Sequence, residues 1–213
     1  MKKVFKKTIS VITILMMAGL IHAAEFGPNS ANISNPYLPP KIGSAYIYSG
    51  YGSKIGLYQY LDVVEIETVD GVKCVRANSI DNIDNDFASI WIAQDISGDV
   101  YILKFWDEEN PTPIVIGKDN AVLLMPANPK VGDKISADDE TVLEIGIPVP
   151  QLSTGLGPFT NCLKTQEEDG DIKYYAPGVG EVKKEYLGVP ANGHELKEII
   201  ITKSGVAVIP LFD

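Results

Sequence analysis

The side chains of this sequence that could do chemistry are few, and most are acidic. Twenty-eight Asp and Glu stand against two His, two Cys and a single Arg, Arg76. The densest set of oxygen donors is Asp81, Asp84 and Asp86 with Asn82 and Asn85. Hard donors at that spacing suit Ca²⁺. Phe87, however, stands where an EF-hand loop places its glycine, and no bidentate Glu follows at the required offset, so the segment is expected to be an exposed acidic loop without a metal. Glu167, Glu168, Asp169 and Asp171 surround Gly170. Paired carboxylates act as general acid and base when one of them is buried and its pKa is raised. On a hairpin tip solvent would keep both ionised, and a solvated tip is the expectation. A hydrolytic triad needs a histidine to take the proton of its nucleophile, and downstream of residue 22 only His194 remains. It follows Pro190-Ala191-Asn192-Gly193 in what reads as an exposed loop. Glu195 beside it points to the opposite face, and no Ser stands in a Gly-x-Ser-x-Gly elbow. These counts predict no catalytic residues, no cofactor and no metal.

Cys74 and Cys162 form a candidate disulfide. An even count of two allows one intramolecular pairing, and closing about 90 residues would constrain the unfolded chain by roughly 4–5 kcal/mol. The alternative is two separate buried thiols, since strand neighbours meet only if register allows. There is no Cys-x-x-Cys, so thiol redox catalysis is not expected.

The start of the chain says where those residues work. Lys2, Lys3, Lys6 and Lys7 precede an apolar run from Ile9 to Ile21 that ends at Ala23 and Ala24. This is the pattern of a secretory signal peptide, residues 1–23, cut after Ala23 with Ala24 as the alternative. Thirteen residues reach only about 20 Å as a helix, short of the roughly 30 Å bilayer core. No Cys lies near the cut to carry a lipid anchor. The protein is therefore expected to be periplasmic or secreted, with residues 24–213 as one domain. Loss of four lysines takes the formal charge from −10 to −14, and a surface that acidic repels phosphate, so nucleic acid is excluded as a partner.

The elements that must position these side chains are strands. Tyr46 and Tyr48 alternate with Ile47, Tyr58 and Tyr60 with Leu57 and Leu61, Ile90 and Ile92 flank Trp91, and Tyr101, Leu103 and Phe105 alternate with Val100, Ile102 and Lys104. Period-two runs of β-branched and aromatic residues bounded by Gly, Asn, Asp and Pro are the strand signature. Asp70-Gly71 and the segment Asp95 to Asp99 with Gly98 read as hairpin turns. Further strands are expected at about 142–149, 159–165, 172–175, 181–187, 196–203 and 206–211, after an extended Pro/Asn arm from Gly27 to Pro40. No stretch shows helical periodicity, and 14 Pro with 19 Gly interrupt most candidates. The predicted fold is all-β: a single curved antiparallel sheet, a half-barrel or open barrel, built of meander hairpins.

Several stretches together resemble a known group. They are Asn35-Pro36-Tyr37-Leu38-Pro39 before Gly43-Ser44-Ala45-Tyr46, Trp91-Ile92-Ala93-Gln94-Asp95 before Gly98-Asp99-Val100-Tyr101, Met125-Pro126-Ala127-Asn128-Pro129-Lys130-Val131-Gly132-Asp133, Gly157-Pro158-Phe159-Thr160-Asn161-Cys162, and Tyr174-Tyr175-Ala176-Pro177-Gly178-Val179-Gly180-Glu181-Val182-Lys183. In this order, from Asn35 to about Tyr186, the chain resembles exported bacterial proteins of unknown function, a TapB-like domain-of-unknown-function family. The resemblance implies a curved antiparallel sheet similar to the half-barrels of periplasmic lipoprotein carriers, with no catalytic residues to transfer. Pro177-Gly178-Val179-Gly180 reads on its own as a tight strand connection: no helix follows to make it a phosphate cradle.

Ten Tyr and two Trp concentrate in the strands. On a half-closed sheet they either fill the core or line a concave cleft for an apolar ligand. The functional expectation is an exported, non-enzymatic binding or envelope-associated protein, its partner an apolar small molecule, a lipid or another exported protein. Two alternatives are a carboxylate-dependent glycoside hydrolase and a structural module that pairs through an exposed sheet edge. A glycosidase must set two carboxyls roughly 5–10 Å apart across a cleft. A non-enzyme is expected to keep strongly perturbed titratable groups out of it.

Overall fold

The structure, a computed structural model, describes residues 24–56, 58–81, 87–136 and 142–201. The signal segment 1–23, positions 82–86 of the acidic loop and the strand expected at 206–211 lie outside the described residues.

Fourteen strands are present among the described residues: β1 (Ser44–Tyr51), β2 (Tyr58–Val69), β3 (Val72–Asp81), β4 (Phe87–Gln94), β5 (Val100–Asp107), β6 (Ile114–Val115), β7 (Val122–Met125), β8 (Lys134–Ser136), β9 (Val142–Ile145), β10 (Val149–Thr154), β11 (Gly157–Glu167), β12 (Ile172–Ala176), β13 (Gly180–Glu185) and β14 (Gly193–Ile201). The helices described are three single 3₁₀ turns. All pairings are antiparallel, in the order β6-β5-β4-β3-β2-β1-β14-β13-β12-β11-β9-β8, with β7 also on β5 and β10 on β11. The sheet is not closed into a barrel. Pairing of β1 with β14 joins two meanders into one curved surface, and the short β7 and β8 bring the chain from one limb to the other.

The turns form as their residues dictate. Asp70 and Gly71 both take positive φ, 48° and 79°, the requirement of a two-residue hairpin that twists with its strands. In the β4–β5 turn, Asp95 Oδ1 accepts the backbone N–H groups of Ser97 and Asp99 at 2.9 and 3.0 Å. The strand expected over 142–149 is instead two. β9 ends at Ile145, and β10 starts at Val149 on a different stretch of β11. Gly146 N–H still donates to Lys164 O at 2.8 Å, and Pro148, with no N–H to give, interrupts the ladder beyond it. Pro158 is tolerated within β11 because residues 157–160 pair with β10 alone. The two- to four-residue strands β6, β7 and β8 are too short for alternation to show.

Alternation places two cores on opposite faces of the same strands. On the concave side Tyr46, Tyr48, Val63, Val75, Ile92, Leu163 and Leu196 belong to the larger cluster. On the outer side of β2–β5, Val69, Val72, Cys74, Trp91, Ala93, Tyr101 and Leu103 form the smaller, with Phe26 packed on it. Cys74 lies in the second cluster and Cys162 in the first, both free and buried. The Cys74–Cys162 disulfide allowed by the count is therefore not made: successive residues of β3 face opposite ways, and register turns Cys74 away from the cluster that holds Cys162. Burial pushes the Cys74 thiol up to about 12, which suits a packing residue rather than a nucleophile.

The arm before β1 crosses between the limbs. The Gln94 N–H donates to Ser30 O at 2.8 Å, and Gln94 Oε1 accepts from Ser34 and Asn35 N–H at 2.7 and 3.0 Å. Asn35 Nδ2 donates to Pro126 O at 3.1 Å, and Gly178 N–H to Pro36 O at 2.7 Å. The sequence landmarks around Asn35, Gln94, Pro126 and Gly178 thus meet in one place, where they hold the arm.

Candidate functional site

The curl of the sheet lines a half-open cavity of about 230 Å³. β1 and β2 supply Tyr46, Tyr48, Leu61 and Val63 to its wall, β3 and β4 supply Ala77, Ile90 and Ile92, and Leu124 of β7 completes that side. The arm adds Leu38, Pro39 and Pro40, and the β12–β13 turn adds Val179. The polar lining is Gln59, Lys173, Tyr175 and Glu181. Two-fold alternation explains the first limb, since apart from Gln59 the β1–β4 residues that line the cavity are all apolar or tyrosine.

The polar corner needs an irregularity. In β12 and β13, Lys173 pairs with Lys184 but Tyr175 pairs with Glu181, with a register shift between Tyr174 and Tyr175. One extra residue in β13 turns Glu181 onto the face of Lys184, where strict alternation would have sent it outward. His194 of β14 pairs with Lys184 and shares that face.

These groups hold one another. Lys173 Nζ pairs with Glu167, and Lys184 Nζ lies 2.7 Å from Asp171 Oδ2 and 3.9 Å from Glu167 Oε2. His194 Nε2 is 3.1 Å from Glu181 Oε1, and its Nδ1 is 3.1 Å from the Tyr186 hydroxyl. An ionised Glu181 only accepts, so Nε2–H donates to it, and in the neutral imidazole Nδ1 then accepts from Tyr186. The Tyr48 hydroxyl donates to Glu181 O at 3.0 Å. Burial opposes the charge of Lys173, but Tyr175, Glu181 and Glu167 outweigh it and lift its pKa above the ordinary lysine range. Burial likewise disfavours the Glu181 anion, yet the His194 hydrogen bond and the charges of Lys173 and Lys184 hold its carboxyl below the usual range. Tyr48 and Tyr175 are raised, first by burial.

Several sequence expectations change here. His194 is no exposed loop residue: it is 3% exposed, within β14. Its role was hidden because Glu181, its partner, is distant in sequence. The 167–171 hairpin is only half a solvated tip. Glu168 and Asp169 are exposed, but Asp171 is 1% exposed and Glu167 is drawn in by two lysines. Glu167, Asp169 and Asp171 bring carboxylate oxygens within 4.8 Å of one another, and Lys173 and Lys184 pair with two of the three, Glu167 and Asp171. Strongly perturbed groups do line the cavity, contrary to the expectation for a non-enzyme. Their directions matter, and each is pushed away from neutral pH. Glu195 points away from the cluster as expected, to Lys197 at 3.0 Å. Cys74 and Cys162 do not line the cavity.

No family model matches the chain, and no curated protein matches it. Among solved structures the chain is similar to a candidate lipoprotein of Parabacteroides distasonis, at 16% identity and a TM-score of 0.44, over 78% of this chain and 99% of the other. No helix among the described residues is long and apolar enough to cross a membrane.

Proposed function

We propose that this is an exported, non-enzymatic protein that holds a small apolar molecule inside its curled sheet, in keeping with the signal-like first 23 residues. The observation that carries the reading is the cavity itself: about 230 Å³, with aliphatic, proline and tyrosine side chains over most of its wall. An engineered apolar cavity of about 150 Å³ binds benzene, so this one suits a substituted ring or a short alkyl chain. It is small for a whole lipid.

The directions of the pKa shifts favour binding over turnover. General acid–base catalysis needs groups whose pKa lies near the working pH. Lys173 is fixed as the cation, Glu181 as the anion, and Tyr48 and Tyr175 as neutral phenols. A glycosidase acid must have its pKa raised, and Glu181, the carboxylate that lines the cavity, has moved the other way. The edge-strand reading has little to work with among the described residues. β6 and β8 are two and three residues long, and β10 carries Pro150, features that discourage strand addition.

Ethylbenzene tests the reading. Titrated into the protein it should produce saturable shifts in methyl NMR signals of Leu61, Ile90 and Ile92 and a rise in Tm. Ala77→Phe, which places a ring in the cavity, should abolish both. Absence of saturable binding to the wild type, or undiminished binding to the Ala77→Phe protein, overturns the proposal.

A further inference from the structure

We infer that the occupant of this cavity is an uncharged ring or short chain bearing one hydroxyl, a phenol or alcohol, and that the polar corner discriminates against carboxylates and amines of the same size. The inference rests on the binding reading above and concerns what the cavity selects.

The two charges that line the cavity are opposite, Lys173 and Glu181. Each is fixed from behind: Lys173 by Glu167, Glu181 by His194. An ammonium group carries three N–H donors, more than Glu167 alone uses, and an ionised carboxylate only accepts. A hydroxyl can accept from the first and donate to the second. A carboxylate brought to this corner finds Lys173 but also meets Glu181. An ammonium finds Glu181 but meets Lys173. Both would surrender hydration against walls that offer no compensation, a large cost for an ion imperfectly paired. The apolar residues facing the corner, Leu61, Ile90 and Ile92, lie on the other limb, so a ring or alkyl body has a place once the hydroxyl is seated. Tyr48 adds little discrimination of its own, because its hydroxyl donates to the backbone of Glu181.

Four ligands with the same body decide the matter: 4-ethylphenol, ethylbenzene, 4-ethylbenzoate and 4-ethylbenzylamine, titrated into the full protein at pH 7 by calorimetry or NMR. The expected order places 4-ethylphenol at least as tight as ethylbenzene and about tenfold or more tighter than either charged analogue. The comparison with ethylbenzene is the sharp one. A cavity without a matched polar corner prefers the hydrocarbon, because the phenol would lose water at its hydroxyl and gain nothing. Lys173→Met should reverse that preference, leaving ethylbenzene the tighter of the two. If that variant does not fold, the wild-type order still decides. A charged analogue that binds as tightly as the phenol, or ethylbenzene that binds clearly tighter than the phenol, overturns this inference while leaving apolar binding intact. If neither ethylbenzene nor the phenol binds, the binding reading falls and this inference falls with it.

Discussion

Two clusters of charged residues sit on opposite faces of this sheet, built from similar parts and put to different ends. On the concave side Lys173 and Lys184 pair with Glu167 and Asp171, and Glu181 lies against His194. On the outer side of β2–β5, Arg76 and Lys104 neutralise Glu65 and Glu67 around Trp91. In the outer cluster Arg76 Nη1 is 3.3 Å from both carboxylates, Lys104 Nζ is 3.6 Å from Glu67 Oε2, and Trp91 Nε1 donates to Glu67 Oε2 at 2.8 Å. Both cations also lie over the indole, Lys104 Nζ at 3.9 Å and Arg76 Cζ at 5.2 Å from its centre. The difference is water. Glu65 keeps 52% of its side-chain surface exposed, whereas Asp171 keeps 2%. A charge that solvent reaches loses little when its partner goes, and a charge that solvent cannot reach loses much. The outer cluster is therefore a lid over an apolar core, and the inner one is a rigid feature able to present fixed donors and acceptors to a cavity.

The largest way to break the contrast is Lys184→Met. It removes the ammonium that lies 2.7 Å from Asp171 Oδ2, a carboxylate only 2% exposed, and should lower stability by about 3 kcal/mol in urea denaturation at pH 7. Adding Asp171→Asn to the same protein should recover much of that loss, because the buried carboxylate charge that Lys184 balanced is then gone. The next is Glu181→Gln, expected to cost about 2 kcal/mol as a charged hydrogen bond is replaced by a neutral one. Its pH signature follows from the direction of each shift. Glu181 is lowered, so its contribution is present above its unfolded value near 4.3 and is lost as pH falls through the native one. Lys173, Tyr48 and Tyr175 are raised, so theirs is full below about 10 and is lost as pH climbs beyond. Wild-type stability should hold from about pH 5 to 10 as far as these groups decide it. Glu181→Gln should flatten the acid limb alone.

The same contrast explains what could be read in advance. Alternation in Tyr46-Ile47-Tyr48, Ile90-Trp91-Ile92 and Val100 to Phe105 gave the strands, their faces and the concave apolar wall, because each depends only on neighbours two positions apart. Asp70-Gly71 gave its turn by the same local logic. The polar corner depended on three things alternation cannot express: a bulge that turns Glu181 inward, a pairing that sets Lys184 between Lys173 and His194, and a hairpin that draws Asp171 beneath Lys184. Lys173 was the one available signal, a lysine between Ile172 and Tyr174-Tyr175 in a strand that is otherwise buried. The cysteines teach the converse. Their count suggested a bond, and the facing of Cys74 on β3 prevents it.

Asp62 sharpens the comparison from the outer face. It sits between Ala45 and Asn78 across the ladder, is 9% exposed, and its Oδ1 has no hydrogen-bond partner among the described residues. Burial raises its pKa, so its favourable contribution exists below the unfolded value near 3.9 and is lost as pH rises through the native one. At pH 7 the charge is a net cost. Asp62→Asn should therefore raise stability, by about 1 kcal/mol or less, with the gain shrinking as pH falls toward 4; a loss of stability at pH 7 would mean that the carboxylate has a partner after all.

The smallest effect is expected where the charges are most visible. Glu65→Gln removes one of the two carboxylates on Arg76, but Glu67 remains at the same distance and the guanidinium keeps its place over Trp91. Stability should change by less than about 0.5 kcal/mol at low salt, and the difference should vanish near 0.5 M NaCl as screening shortens to a few ångströms. The Lys184→Met loss, out of reach of that screening, should persist in the same buffer. If both losses faded together with salt, the inner cluster would be as hydrated as the outer, and its capacity to present a fixed donor and acceptor to a hydroxyl would go with it.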